Sequence, residues 1–308
     1  MNIQLQVLGH ALRGVAEEMG AALIRSAFSA NIKERRDCST ALFDEHGRMV
    51  AQAEHIPVHL GAMPDAVAAV MRHDPGRDDV FILNDPFAGG THLPDITLVS
   101  STDVGFAVTR AHHADVGGIE PGSLPAESRT LEDEGVVIAP TRLEPETLAE
   151  LAARMRNPDE RMGDFRAQLA AHRLADERVA ELCSRHGADG VRAAMAELLA
   201  YSERIVRAGI AGLPDGRFKA SDVLEVREGT LTIRGAVSVA GDELEIDCAG
   251  TDAQHDGNLN CPLSVTRSAA YFVVRCLTAP DVPASAGAFA PVTVEAPAKL
   301  TLSLRITG

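Results

Sequence analysis

The 308-residue sequence predicts an α+β fold, with mixed helices and antiparallel strands and a metal site on an N-terminal hairpin. Three observations lead there. Apolar residues recur at helical spacing near the start. Short strand-like runs separated by turns follow. A central block then returns to helical spacing before alternation resumes. At about 150 residues per domain the length allows roughly two domains, and such a chain can bury about three quarters of its unfolded surface.

The elements can be justified in order. Leu5, Leu8, Leu12, Val15, Met19, Ala22 and Leu23 define one face of an amphipathic helix over 5–29. Residues 39–43 and 48–52 flank Asp44-Glu45-His46-Gly47, a loop suited to a hairpin. Further strands are expected at 80–83, 95–100 and 104–111. The connection Asn84-Asp85-Pro86-Phe87-Ala88-Gly89-Gly90-Thr91 is too rich in glycine and proline for a regular element. From 146 to 212, Leu148, Leu151, Met155, Phe165, Leu169, Leu174, Val179, Leu182, Val191, Met195, Leu198 and Ile205 mark several helices, with Arg and Glu interleaved as on a solvated face. Leu213-Pro214-Asp215-Gly216 then opens a strand-rich portion. Runs 231–240 and 243–249 pair about Gly241-Asp242, and 265–277 reads as a buried helix. The expected organisation is an α+β portion at 1–145, a helical segment at 146–212 and a strand-rich, incomplete portion at 213–308.

Composition narrows the function. Hydrophobic residues are 45% and charged residues 24%, as in globular proteins. With 44 acidic and 29 basic residues the net charge is −15, which argues against nucleic acid or an anionic membrane surface as a partner. No apolar run approaches the ~18 residues of a membrane span, and the opening Met-Asn-Ile-Gln-Leu-Gln lacks the pattern of a secretory signal. Five cysteines, with no close pair, fit a reduced, cytoplasmic setting. Cys38 and Cys261 read as small buried residues rather than nucleophiles. No Walker-type loop, Gly-x-Ser-x-Gly elbow or His-Glu-x-x-His motif is present.

The histidines are unevenly placed. His10, His46, His73, His172 and His186 read as surface or capping residues. In contrast, His92-Leu93-Pro94-Asp95 sets an imidazole and a carboxylate three apart at the entry to a strand. A turn centred between Thr102 and Asp103 would place His92 opposite His113 and Asp95 opposite Arg110. Directly opposed Cβ atoms lie ~5 Å apart, close enough to share a cation. His112 and His113 must point to opposite faces. Two histidines with one or two carboxylates suit Zn, Mn or Fe; the plainer alternative is hydrogen bonding within a tight turn. His55 and His59, around Pro57, are candidates to line a pocket. Glu34 and Asp37 are candidates to send a carboxylate to the same site, or else form a solvated charge cluster.

Several of these stretches resemble one family. They are Asp37-Cys38-Ser39-Thr40-Ala41-Leu42-Phe43-Asp44, His55-Ile56-Pro57-Val58-His59-Leu60-Gly61-Ala62-Met63-Pro64 and Asn84 through Asp95. Arg110-Ala111-His112-His113-Ala114-Asp115-Val116-Gly117-Gly118 with Pro121-Gly122-Ser123 fits the same pattern. So do Asn157-Pro158, Arg161-Met162-Gly163-Asp164, Arg166-Ala167-Gln168, Gly250-Thr251 and Asn260-Cys261-Pro262-Leu263. From about residue 4 to residue 297 the chain resembles the hydantoinase B / 5-oxoprolinase family. The resemblance implies a B-type hydrolytic subunit of an ATP-dependent cyclic-amide hydrolase, opening hydantoin or 5-oxoproline rings. Its partner would be a hydantoinase A-type subunit with an actin-like ATPase fold, in a hetero-oligomer, using ATP to phosphorylate the substrate carbonyl oxygen.

The related acetone and acetophenone carboxylases imply a divalent metal held by His92 and Asp95. His112 or His113 and Glu34 or Asp37 would complete the set, with Asp115 or a pocket histidine such as His59 as general base. Two other functions fit the same resemblance: a subunit of such a carboxylase, or a truncated, catalytically silent binding chain. The last follows from residues 298–308, which depart from the family pattern where its members continue well beyond.

Overall fold

The computed structural model describes residues 3–144, 146–227 and 229–296; residues 298–308, expected above to depart from the family pattern, lie outside them. Helix α1 (Ile3–Ser26) buries Leu5, Leu8, Leu12, Val15, Met19 and Leu23, the face its spacing predicts. A single turn, α2 (Ala30–Lys33), leads into the hairpin β1 (Cys38–Asp44) and β2 (Met49–Glu54). A 3-10 turn at Pro57–His59 precedes α3 (Met63–Met71). Then come β3 (Val80–Leu83), β4 (Asp95–Thr102), β5 (Gly105–His112), α4 (Leu131–Glu134) and β6 (Thr141–Arg142). The first sheet is antiparallel throughout, in the order β2-β1-β5-β4-β3-β6.

The helical block is α5 (Thr147–Ala153), α6 (Pro158–His186) and α7 (Ala188–Ile210). Pro158 at the first position of α6 forgoes an amide that would have no helical partner. Gly187, at φ +74, separates α6 from α7. The second sheet contains β7 (Gly216–Val226), β8 (Gly229–Ala240) and β9 (Glu243–Asp247), followed in sequence by α8 (Leu263–Thr278) and α9 (Ala286–Phe289). It closes with β10 (Val292–Glu295), parallel to β9.

Period-two alternation gives the first sheet two distinct faces. Cys38, Leu42, Ala107 and Ala111 pack with Leu12, Met19 and Leu23 of α1, Ala171 and Val179 of α6, and Val191 and Met195 of α7. We call this the back. On the front, Ala41, Phe43, Val99 and Val108 pack with Met63 and Val67 of α3, Val274 of α8, and Val239 and Leu244 of the second sheet. Fully burying a side chain of this size is worth about 1.5–3 kcal/mol. No described helix is long and apolar enough to cross a membrane.

Two expectations need correcting. The β4–β5 hairpin forms, but Thr102 pairs with Gly105, so Asp95 lies opposite His112 and Thr97 opposite Arg110. The register is displaced by two residues from the sequence reading. The physical reason is that Val104 belongs to the turn although it is buried and apolar. Gly105 begins the strand because a Cβ there would meet the Phe43 carbonyl oxygen at 2.0 Å. Helix α8 is also only half-buried: Phe272, Val273 and Leu277 are exposed, while Ser264, Ser268, Ala270 and Val274 face inward. The inward serines permit a close approach to Gly61, where a Cβ would sit 2.8 Å from both Ser264 O and Ser268 N. Ser268 Oγ donates to Val58 O at 2.6 Å and accepts from Gly61 N at 2.8 Å. Helix α8 thereby fixes the turn that carries His59.

Candidate metal centre

The front face of the first sheet ends in a polar row. Asp37 just before β1, His112 at the end of β5 and Asp95 at the start of β4 share that face, and His112 N donates to Asp37 O at 2.9 Å. The row beneath contains Ser39, Arg110 and Thr97. The turn at 92–95 closes by Asp95 N donating to His92 O at 3.0 Å, which brings His92 over the row. Asn84 holds this turn in place: its Nδ2 donates to Leu93 O and Val136 O, and its Oδ1 accepts from Ile138 N.

Three imidazoles converge on Asp95. Its Oδ2 is 3.4 Å from His59 Nε2 and 3.4 Å from His92 Nδ1, and its Oδ1 is 3.3 Å from His112 Nδ1. His112 Nδ1 also lies 3.7 Å from Asp37 Oδ2 and 2.9 Å from His92 Nε2. Thr91 Oγ1 donates to Asp95 Oδ2 at 2.6 Å, and His59 Nδ1 meets Ser39 Oγ at 2.9 Å. Burial opposes ionisation of Asp95, but the charge of His92 and the contacts of His112 and His59 outweigh it. They hold the carboxyl well below the usual range. Burial lowers the pKa of His92. For His112 burial acts the same way, but the hydrogen bond and charge of Asp95 prevail and raise it.

These residues suit a cation. Two sets, His92–Asp95–His112 and Asp37–His59–Asp95, each bring their donor atoms within 4.8 Å of one another. His59 Nε2 and Asp95 Oδ1 are sealed from solvent and make no well-aligned hydrogen bond, only the 3.3–3.4 Å contacts within the cluster, an arrangement that is costly unless something else satisfies them. The Ser39 contact occupies His59 Nδ1 and leaves Nε2 facing the carboxylate, as second-shell partners of metal-ligating histidines do. Mixed imidazole and carboxylate donors match Zn, Mn or Fe.

Of the residues singled out in the sequence, His92, Asp95, His112, Asp37 and His59 come together. His113, Glu34 and Asp115 do not, and belong to neither described set. The side chain of His113 lies on the back, where its Nε2 meets Gln168 Oε1 at 3.0 Å. Alternation along the strand puts it there once His112 takes the front. Glu34 is exposed at the end of α2. Asp115 organises the loop after β5, accepting from Gly117 N, Gly122 N, Ser123 Oγ and Arg156. Burial raises its pKa, but those hydrogen bonds dominate and lower it, which does not suit a general base. His55 is exposed and belongs to neither described set.

A cavity of about 460 Å³ adjoins the cluster. His92, with 37% of its side chain exposed, opens onto it. Loop 124–134 and segment 254–264 form much of the remaining wall. Glu134 on that wall had no distinguishing signal in the sequence, being one of three consecutive acids. It is half-buried, accepts from Ser128 Oγ at 3.0 Å, and has its pKa raised by burial.

The family model for hydantoinase B/oxoprolinase matches residues 1–305. The chain belongs to this family. A 5-oxoprolinase 1 of Arabidopsis thaliana is 33% identical over 341 residues, covering 98% of this chain and 27% of that protein. An uncharacterized protein of Methanocaldococcus jannaschii is 34% identical over 312 residues, covering 96% of this chain and 55% of that protein. The crystal structure of an ATP-dependent caprolactamase from Pseudomonas jessenii superposes with a TM-score of 0.91 at 26% identity, covering 99% of this chain and 56% of that one. This hydantoinase B/oxoprolinase chain thus spans about half the length of two of these relatives and about a quarter of the third.

Proposed function

We propose that the chain is the hydrolytic, B-type component of an ATP-dependent cyclic-amide hydrolase, opening a hydantoin or 5-oxoproline ring beside an A-type ATPase subunit that binds the nucleotide. The observation that supports this reading best is the convergence of His59, His92 and His112 on Asp95, at the edge of a cavity of about 460 Å³, in a chain of this family. A cavity of that size suits a small ring.

An amide carbon is a poor electrophile, and phosphorylation of its oxygen makes that oxygen a leaving group. His59, His92, His112, Asp37 and Asp95 would hold a divalent cation, which would supply Lewis acidity when bound. Ser39 fixes the orientation of His59, and Thr91 that of Asp95. Glu134, whose carboxyl burial shifts toward the protonated form, is placed to exchange a proton with a ligand in the cavity. Asp115 supports the loop.

The test is reconstitution with an A-type ATPase subunit, following ATP-dependent ring opening of hydantoin and 5-oxoproline. Activity should depend on the partner and disappear in His92→Ala/Asp95→Ala. Unchanged turnover in that double variant would overturn the assignment. Incorporation of labelled bicarbonate in place of ring opening would move the chain to the carboxylase branch.

A further inference from the structure

The charges around the cavity are unevenly matched. Asp65 is paired with Arg267, whose Nη1 reaches both carboxylate oxygens at 3.2 Å. Glu134 is tied to Ser128 and shifted toward its neutral form, and Asp256 is exposed. Arg72, at the end of α3, and Arg129, just before α4, also line the cavity, and among the described residues neither guanidinium has an acid or carbonyl partner. Elsewhere on this acidic chain several arginines find acids: Arg77, Arg142 and Arg192 each contact two, and Arg207 contacts three. Arg72 and Arg129 thus present two uncommitted guanidiniums on the concave wall shared with His92.

A guanidinium presents a planar fork of donors that fits the oxygens of a phosphate or carboxylate. We propose that Arg72 and Arg129 form an oxyanion subsite of the cavity, holding the phosphoryl or carboxylate group of a ligand whose ring lies toward His92. This rests on the cyclic-amide reading and sharpens its substrate class. A phosphoryl group would arrive on the ring oxygen activated by the ATPase partner. A carboxylate would belong to the ring itself, as in 5-oxoproline, whereas hydantoin has none.

The experiment is isothermal titration of the full chain, stripped of metal by a chelator, at low ionic strength. The probes are inorganic phosphate, L-5-oxoproline and hydantoin, each with the parent and with Arg72→Gln/Arg129→Gln. At least one anionic probe should bind the parent and lose about tenfold or more in affinity in the variant, the loss expected for charge-assisted hydrogen bonds. Hydantoin should show no difference between the two. Phosphate alone responding assigns the subsite to a phosphoryl group; 5-oxoproline alone responding assigns it to a ring carboxylate; both responding supports the shared chemistry. If neither binds, or if the variant binds as the parent does, the proposal is wrong. Both arginines are exposed, so the variant should keep the parent melting temperature; if it does not, the single Arg→Lys variants should show a smaller loss in the same direction. Oxyanion binding needs neither metal nor partner, so it can fail while ring opening stands, and ring opening can fail while it stands.

Discussion

His112 and His113 are adjacent and chemically identical, yet strand alternation sends them to opposite sides of one sheet. On the front, His112 joins His59, His92, Asp37 and Asp95, and its pKa is raised because Asp95 outweighs burial. On the back, burial pushes His113 down to about 4. There it enters a hydrogen-bonded seam beneath α6. Gln168 Nε2 donates to Ile96 O and Thr109 Oγ1, while His172 bridges Ser100 and Thr109. Arg161 is fully buried against Asp164 and Glu160. Orphaned atoms occur on both sides: His113 Nδ1 and Arg161 Nε on the back, His59 Nε2 and Asp95 Oδ1 on the front. The difference is convergence. His59 Nε2 and Asp95 Oδ1 meet at one carboxylate at the edge of a cavity, whereas His113 Nδ1 and Arg161 Nε sit separately between α6 and the sheet. Unsatisfied donors that converge indicate a binding site, whereas a nearly closed network indicates a structural role.

The largest effect should come from opening the back. Asp164 Oδ1 accepts from Phe28 N and Ser29 N, and Oδ2 faces Arg161, both side chains being fully buried. Asp164→Leu leaves the buried Arg161 with only Glu160 and the Asp115 carbonyl and orphans the Phe28 and Ser29 amides, and should cost about 3–5 kcal/mol in urea denaturation, with metal affinity of the folded fraction unchanged. A loss below about 1 kcal/mol would mean that Arg161 finds other partners. The adjacent histidines offer the sharper contrast. His112→Ala should weaken Mn or Zn binding by about 100-fold or more, the upper end of what second-shell changes alone produce. His113→Ala should leave binding intact and instead cost about 1–3 kcal/mol of stability, by orphaning Gln168 Oε1. Equal effects of the two on metal affinity would erase the distinction between the faces.

The front was the more legible side. His92 and Asp95 were readable from their three-residue spacing at a strand entry, with hydrogen bonding in a tight turn as the alternative, and from the family motif they share. Asp37 and His59 were readable only as alternatives, since their convergence depends on sheet closure and on α8 clamping the turn at Gly61. The two-residue register error arose because a buried valine in a turn is indistinguishable from a strand valine. The back was nearly invisible. Arg161, Asp164, Gln168 and His172 recur at three- and four-residue steps, but interleaved charges read as a solvated face, and His172 was read as a surface or capping residue. It is 4% exposed. The missed signal is that this polar stripe shares its side of α6 with Phe165, Ala171 and Ala175, which are buried.

A smaller effect tests how tightly the front is organised. If Ser39 serves to hold His59 Nε2 toward Asp95, Ser39→Ala should lower metal affinity by about tenfold while stability changes little. An unchanged affinity would leave His59 outside the cation's shell and reduce the centre to His92, Asp95 and His112.

The smallest effect, per pH unit, concerns His172. Burial among Ser100, Thr109 and α6 pushes its pKa from 6.5 down to about 3. The folded state therefore favours the neutral ring, while the unfolded chain takes up a proton below pH 6.5. Stability from this group is fully present above that value and is lost as pH falls toward 3, where the folded form protonates as well. Relative to His172→Gln, the parent should keep a constant advantage above about pH 7.5 and lose on the order of 1 kcal/mol per pH unit between 6 and 4. Urea midpoints of the two proteins across that range check this, and taking the difference cancels His113 and the carboxylates, which titrate alike in both. A flat difference would mean that the seam admits a charged imidazole, in which case the back is an open polar layer and the contrast with the front fails at His172.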